Sequence, residues 1–174
     1  MKKIVIILLI FVISMLIYKE QKDDMIIIPD TAIRLRVIPN SNSSLDQNMK
    51  KKVKEYLENN TYTLLKGQDN IDNVREIVND NIPNIKENII RIFNDNDYNM
   101  NFDVNYGYNY FPKKEYRGIE YKEGYYESIV ISIGEAKGDN WWCVLFPNLC
   151  LVDLEQKDDT EYKIWIVEAI NKIF

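Results

Sequence analysis

Histidine is absent from all 174 residues of this chain. Its absence removes the commonest general base, the Ser-His and Cys-His nucleophile pairs, and the commonest metal ligand. Any catalysis would have to use carboxylates, lysine, tyrosine or cysteine, which makes hydrolase functions less favoured without excluding a mechanism based on carboxylates alone. We therefore expect no catalytic residues, no bound metal and no cofactor.

An excess of positive charge is also lacking, because 22 lysines and arginines face 27 acidic residues and the formal net charge is -5. Nucleic-acid binding depends on clustered lysine and arginine that neutralise phosphates, so we expect no nucleic-acid partner. The remaining composition, with 46% hydrophobic and 28% charged residues, is sufficient for one folded core and a solvated surface.

The N-terminus carries a charge-free run. Met1-Lys2-Lys3 precedes fifteen uncharged residues, IVIILLIFVISMLIY, and then Lys19. A basic start followed by such a run is typical of an export signal or a short membrane anchor. Its helical length of about 22 Å against a ~30 Å hydrocarbon core favours a cleaved signal, whereas the missing small-residue cleavage site favours an anchor. Residues 1–18 are predicted to be one or the other, and a buried N-terminal helix is a third alternative.

The spacing of hydrophobic residues along the body of the chain changes once, from helical spacing to alternation. Residues 19–30 are predicted to be a tether, and residues 31–174 a single extracytoplasmic domain. Ala32–Ile38 alternates apolar and basic residues, as a half-buried strand does. Ser44 is the predicted N-cap of a helix that ends before Gly67.

A second helix is predicted from Ile71 to a break near Asn81, and a third begins at Pro83, because proline is tolerated in the first turn of a helix. From Met100 the period becomes two, which predicts several strands, and a last helix covers about 161–174. The class predicted is α+β: an antiparallel sheet with helices packed mainly on one face, preceded by an N-terminal export or anchor helix.

The segment GEAKGDNWWCVLFPNLC, Gly134–Cys150, has an unusual composition. Its glycines and Asp139-Asn140 predict a turn between two strands. Trp141 and Trp142 should face opposite sides of the second strand. One is then expected in the core, and the other is available as an interface anchor.

The two cysteines of the chain, Cys143 and Cys150, have neither the C-x-x-C spacing of redox motifs nor a histidine that would complete a zinc site. They stand symmetrically about Phe146-Pro147, so a hairpin there would set them opposite each other, within disulfide range. A disulfide and two buried free thiols both remain open.

Three carboxylates close to this turn allow a catalytic alternative. Glu127, Glu135 and Asp139 could supply a pair for acid–base work on a glycan, which requires a separation of about 5–9 Å. The sequence gives no separation. A secreted or membrane-anchored protein of the cell envelope that binds or cleaves glycans is therefore the alternative function.

Two blocks of this sequence resemble the signature blocks of the stage II sporulation protein R family. They are IRLRVIPNSNSSLDQNMKKKV, Ile33–Val53, and GEAKGDNWWCVLFPNLCLVD, Gly134–Asp153, and YFPKKEYRG between them is similar to a loop of that family. The resemblance implies an exported signalling protein of endospore formation, not an enzyme, which acts in the space between forespore and mother cell. There it would activate a membrane-embedded aspartic protease that processes the precursor of the mother-cell sigma factor, sigma-E.

A signalling protein of this kind needs a surface that binds its protease. A compact aromatic edge suits the limited extracytoplasmic surface of a multipass membrane protein. The predicted contact residues are Gly138, Asp139 and Asn140 of the turn, with Trp141 or Trp142. If the first strand lies beside the turn, Arg34, Arg36 and Asn40 are predicted to join them.

Overall fold

A computed structural model describes residues 9–15, 26–27, 31–116, 119–147, 167–168 and 170–171. Residues 9–15 form a helix, α1, whose apolar side chains are 47–64% exposed. This exposure contradicts the alternative of a buried N-terminal helix. Within the described ranges, no helix is both long and apolar enough to cross a membrane.

The other elements agree with the predicted change from helices to strands after Met100. The strands are β1 Ile26–Ile27, β2 Ile33–Ile38, β3 Phe102–Phe111, β4 Lys114–Tyr116, β5 Ile119–Tyr121, β6 Gly124–Ile133 and β7 Trp141–Phe146, and the helices are α2 Ser44–Leu65 and α3 Ile71–Asn94. Within the predicted tether, Ile26–Ile27 pairs with β5. Of the predicted last helix, Val167, Glu168, Ile170 and Asn171 are helical, and the rest lies outside the described residues.

The α+β class is confirmed, but the main sheet is mixed and not antiparallel throughout. In the described part of the chain its strand order is β3-β6-β2-β7, and β2 runs parallel to β6 and antiparallel to β7. The predicted turn of residues 134–140 does lie between two strands, β6 and β7, but these strands do not pair with each other. Instead, β2 lies between β6 and β7, so the strands on either side of the turn pair with β2. A second sheet has the order β1-β5-β4.

The core lies between the main sheet and the two long helices, as predicted. Alternate residues of β2 and β6 face α2 and α3, because side chains of a strand alternate between its two faces. The largest buried side chains of this layer include Leu35, Met49, Leu57, Ile89 and Ile131, each at most 1% exposed.

Helix α3 corrects the prediction of a break before Pro83. It runs without interruption from Ile71 to Asn94, with Asn70 as its N-cap and Pro83 inside it. Proline removes one backbone hydrogen bond. Pro83 is exposed, whereas Val78 and Ile85 on the core side are buried, so the lost bond lies where water can replace it and core packing maintains the helix.

We predict that Leu57→Ala lowers the free energy of unfolding by about 2–5 kcal/mol, because it leaves a cavity in a fully buried layer. Urea denaturation of the full chain measures this change. Leu45→Ala on the same helix is the control, since Leu45 is 60% exposed and its loss should change stability by no more than about 0.5 kcal/mol. Equal effects of the two substitutions would contradict the assignment of the core face.

Candidate partner-binding site

The position of β2 forces two segments of the chain together. Because β6 and β7 flank β2, their connection, the 134–140 loop, must cross the end of β2 at Ile38. The chain leaving β2 passes this end on its way to α2. Residues 39–50 therefore contact the 134–140 loop, and we call this contact region the junction. It brings together the two blocks that carry the family resemblance.

Backbone atoms make most of the junction. The amide of Lys137 donates to the carbonyl of Asn40 at 3.1 Å, and that of Gly138 donates to the carbonyl of Pro39 at 3.1 Å. The Asn40 side-chain oxygen accepts from the amide of Glu135 at 3.0 Å. In this way the segment after β2, residues 39–50 (the first segment), satisfies the backbone donors of Glu135, Lys137 and Gly138.

Side chains of the helix entry complete the junction. The Asn42 side-chain oxygen accepts from the amide of Asp139 at 2.6 Å. The ammonium group of Lys50, one turn into α2, donates to the carbonyl of Asp139 at 2.8 Å. The Asp139 carboxylate takes part in neither bond and is exposed.

Two glycines make this close approach possible. A Cβ atom on Gly138 would lie 2.6 Å from the carbonyl carbon of Ser41, and one on Gly134 would lie 2.8 Å from Cγ of Asn40. Both separations are below any normal contact of a Cβ atom. Gly134 also has a φ of 56°, in the left-handed region that favours glycine. The predicted role of Gly138 in the turn is therefore steric, since a side chain would push the loop away from the first segment.

A buried carboxylate positions the first segment. Asp46 in the first turn of α2 is 5% exposed. It accepts hydrogen bonds from the Ser41 hydroxyl, from Asn40 Nδ2 at 3.0 Å and from the Tyr98 hydroxyl at 2.6 Å. Asn40 thus contacts Asp46 through its nitrogen and the loop through its oxygen. The orientation of Asn40, and through it the position of the loop, depends on Asp46.

These hydrogen bonds change the pKa values of the groups involved. Donation from Ser41 and Tyr98 lowers the pKa of Asp46 from its ordinary 3.8 to about 2. Burial and the neighbouring carboxylate raise the pKa of Tyr98, which remains a neutral donor. A negative charge in the first turn of a helix is also favoured by the helix dipole.

The N-cap of α2 is Ser43 and not the predicted Ser44. The Ser43 hydroxyl accepts from the amide of Asp46 at 3.1 Å, and the Ser43 carbonyl accepts from the amide of Gln47 at 3.0 Å. The helix therefore begins one residue earlier than predicted. In the observed helix Asp46 faces the interior and Leu45 is exposed. A polar residue in step with Met49 and Val53 on the buried stripe was the signal in the sequence for this site.

The face of the sheet opposite the helices is aromatic and cationic. The guanidinium carbon of Arg34 lies 3.3 Å from the ring centroid of Tyr126 and 5.6 Å from that of Phe111, and Arg34 is 3% exposed. Stacking on aromatic rings is a favourable environment for a buried arginine. The expected half-buried strand is therefore covered on both faces, and Arg34 has almost no surface for a direct contact.

Arg36 and Trp142 form the more accessible part of this face. They are register partners on β2 and β7, and the guanidinium carbon of Arg36 lies 4.6 Å from the Trp142 ring centroid. The Asn140 amide group is assigned the orientation that gives hydrogen-bond partners to both its oxygen and its nitrogen. In this orientation its oxygen accepts from Arg36 Nη2 at 2.7 Å and from Arg36 Nε at 3.0 Å. Asn140 therefore links the end of the loop to the ring–guanidinium pair.

Trp141 faces the helix side, so the prediction that the two tryptophans point to opposite faces is confirmed. Trp141 packs at the edge of the main core, with the Lys54 ammonium 5.8 Å from its ring centroid. On the other face the Lys114 ammonium lies 5.4 Å from the Trp142 ring centroid. Both tryptophans are half-buried, and Trp141 is the one that packs against the main core.

Cys143 follows the tryptophans on β7, opposite Leu35. It is disulfide-bonded, but Cys150 lies outside the described residues. The pairing of Cys143 with Cys150 therefore stays a prediction.

Of the three carboxylates of the catalytic alternative, Glu127 lies apart from the other two. Glu127 accepts hydrogen bonds from Arg75 Nη2 at 2.9 Å and from the Tyr106 hydroxyl at 2.6 Å. Burial would raise the pKa of Glu127, but these bonds outweigh it and lower the pKa. Six strand residues separate Glu127 from the end of β6, or roughly 20 Å, so it does not face Glu135 or Asp139 across a glycan-sized gap.

The structure thus brings the predicted contact residues other than Arg34 to one end of the sheet, around β2, β7 and the loop. Arg34 lies farther from that end, opposite Ser128 of β6. Arg34 is buried, Arg36, Asn40 and Asn140 bind within the protein, and Asp139 is exposed. Sequence reasoning missed Asp46, Lys50 and Tyr98. Tyr98 lies 52 positions from Asp46, and no local pattern connects them. In the described part of the chain, no cluster of acidic or cysteine side chains could hold a metal ion.

We predict that Asp46 makes the free energy of unfolding depend on pH in the acidic range. Its pKa in the folded state lies below the unfolded value, so its stabilising contribution is full above pH ~4 and is lost as the pH falls toward 2. Chemical denaturation at a series of pH values measures this slope. Asp46→Asn should be less stable at neutral pH and have a shallower slope between pH 4 and 2, and an unchanged slope would contradict the role of Asp46.

We also predict that Gly138→Ala destabilises the protein by about 1–3 kcal/mol, because its Cβ would collide with the backbone of Ser41. Gly67→Ala is the matched control, since a Cβ there meets no atom within 4 Å and costs about 1 kcal/mol through its φ of 79° alone. Thermal unfolding of both variants provides the comparison. A larger loss of stability for Gly67→Ala than for Gly138→Ala would contradict the steric role of Gly138, because the loop would then accommodate a Cβ atom there at little cost.

The chain matches known proteins of one family. The sequence model of stage II sporulation protein R matches residues 29–156, which include both segments of the junction. Stage II sporulation protein R of Bacillus subtilis (strain 168) is 34% identical over 135 residues, which cover 78% of this chain and 60% of that protein. The match therefore spans less than two thirds of the length of this relative. No solved structure matches the chain. With most of its length matched by the family model, the chain belongs to the stage II sporulation protein R family.

Proposed function

We propose that this protein is an exported signal of endospore formation that activates a membrane-embedded aspartic protease. The activated protease would process the precursor of the mother-cell sigma factor, sigma-E. Family membership supports a role in sporulation. The observation that supports the rest of the proposal is the junction, where both blocks of the family resemblance form one hydrogen-bonded edge with two half-buried tryptophans.

The N-terminal run supports the export part of the proposal. The described helix 9–15 has its apolar side chains in solvent, which is costly unless a membrane or an export receptor covers them. We propose that residues 4–18 direct the chain into the space between forespore and mother cell, where they are removed or remain as an anchor.

Activation requires a difference in affinity. The protein shifts the protease toward its active form only if it binds that form more tightly than the inactive one. We propose that the contact surface is formed by the accessible parts of Gly138, Asp139, Asn140, Trp141 and Trp142. The loop is held by backbone hydrogen bonds, so it presents this surface without a large ordering cost.

Reconstitution tests the signalling proposal. We would co-express the protease, the sigma-factor precursor and this chain in a non-sporulating host, with the leader intact or with residues 2–18 removed. We expect processing, seen as a smaller sigma factor on a gel, only with the chain and its leader. Processing that is absent despite an exported, folded chain, or that does not need the leader, would overturn the proposal.

The same assay tests the contact surface. We expect Trp142→Ala to lower processing about tenfold or more, as loss of an aromatic anchor does. Phe111→Leu is the control for stability, because Phe111 is 1% exposed and touches Trp142 from the inside with ring centroids 5.0 Å apart. It should lower stability but reduce processing only in proportion to the unfolded fraction.

Glu135→Ala separates the signalling function from the glycan alternative. Glu135 is exposed, and its described partner is the exposed Lys137, so its removal should leave both fold and processing unchanged. Loss of activity with Glu135→Ala and normal activity with Trp142→Ala would favour acid–base chemistry on a glycan.

A further inference from the structure

At the edge of the main sheet remote from β7, three tyrosines are exposed on one face. Tyr108, Tyr110 and Tyr125 are 72%, 49% and 71% exposed, and the rings of Tyr110 and Tyr125 meet edge to face with centroids 5.6 Å apart. Tyr108 and Tyr110 alternate along β3, and Tyr125 is the register partner of Tyr110 on β6. They share the helix-side face of the sheet but lie beyond the part that the helices cover.

Strand β3 has few of the features that usually prevent an edge strand from pairing. It is the outer strand of the main sheet, and in the described part of the chain no other strand pairs with its free side. Its ten residues, FDVNYGYNYF, contain no proline or lysine and one charge, at Asp103. Its pairing with β6 runs from Phe102 to Phe111 without a bulge. Edge strands of this kind are templates for pairing with another chain.

We propose that β3 is the interface between two copies of this chain, which pair antiparallel through it. The alternation of the strand makes it self-complementary, because opposed residues of an antiparallel pair point to the same face. A two-fold axis at Tyr108 sets this residue opposite Tyr108 of the partner subunit, and Tyr106 opposite Tyr110 of the partner subunit. This register also keeps the ends of β3 near α3, where Phe102 packs on Phe93, at the outside of the pair.

Charge and area are compatible with this pairing. The uncharged residues 105–111 meet at the seam, and the two Asp103 side chains lie roughly 30 Å apart, far beyond the ~8–10 Å screening length. The exposed parts of the three tyrosines amount to roughly 400 Å² per copy, about half of the ~800 Å² that a stable interface buries on each side. The backbone edge and neighbouring side chains add to this area. The pair closes on itself, because a two-fold interface uses the same surface on both copies.

Sedimentation equilibrium of the full chain in a density-matched detergent tests the proposal. We expect a mass of twice the 20.7 kDa of one chain. Tyr108→Lys should raise the dissociation constant about tenfold or more, because it sets two ammonium groups opposite each other at the axis. Tyr108→Phe retains the ring and should retain the dimer.

Leu45→Lys is the matched control, since Leu45 is also an exposed apolar residue but lies on α2, and it should leave the dimer unchanged. Circular dichroism checks that each variant is folded. A monomer at all concentrations would overturn the proposal and leave the β3 edge for a strand of another protein. A dimer that Tyr108→Lys does not weaken would assign the contact to the N-terminal run or to another surface. None of these outcomes depends on protease activation, which the processing assay measures separately.

Discussion

The insertion of β2 between β6 and β7 is the constraint on which the rest of this structure depends. Strands that flank a third strand cannot be joined by a tight hairpin, so their connection has to cross the end of the strand between them. The chain leaving that strand needs the same space. Contact between the two segments is therefore unavoidable, and the glycines, the Asn40 amide and the backbone hydrogen bonds of the junction are the means by which this sequence accommodates it.

Two buried charges support this arrangement in different ways. Asp46 receives hydrogen bonds from three side chains and lies in the first turn of a helix, so its charge is stabilised by donors and by the helix dipole. Arg34 is surrounded by aromatic rings and relies in part on stacking. Asp46 determines the position of the segment after β2, and Arg34 fills the face of the sheet below the tryptophan strand. Asp46 thereby fixes the junction to the interior, whereas Arg34 fixes β2 outside the junction.

Local periodicity predicted the strand at Ile33–Ile38, the long helices and the opposite orientation of the two tryptophans, because each depends on neighbours in sequence. It failed where contacts between distant parts of the chain determine the structure. The parallel pairing of β2 with β6 joins residues more than ninety positions apart, for example Leu35 with Ile129. Pro83 predicts a helix start because the cost of proline inside a helix is evident from the local sequence. The core packing that maintains α3 through Pro83 involves residues distant in sequence and is not evident from it. The candidate site was located by the composition of Gly134–Cys150, but the Asp46–Tyr98 contact that supports it was not predictable.

The backbone-based construction of the 134–140 loop has a consequence for how this family can diverge. The loop is attached to the first segment through its amides and carbonyls, while the carboxylate of Asp139 and the side chains of Glu135 and Lys137 remain in solvent. Mutations at these positions leave the attachment intact. The surface chemistry of the loop and the maintenance of the fold are therefore encoded in different atoms of the same seven residues, so the exposed side chains can change by single substitutions while the attachment of the loop is retained.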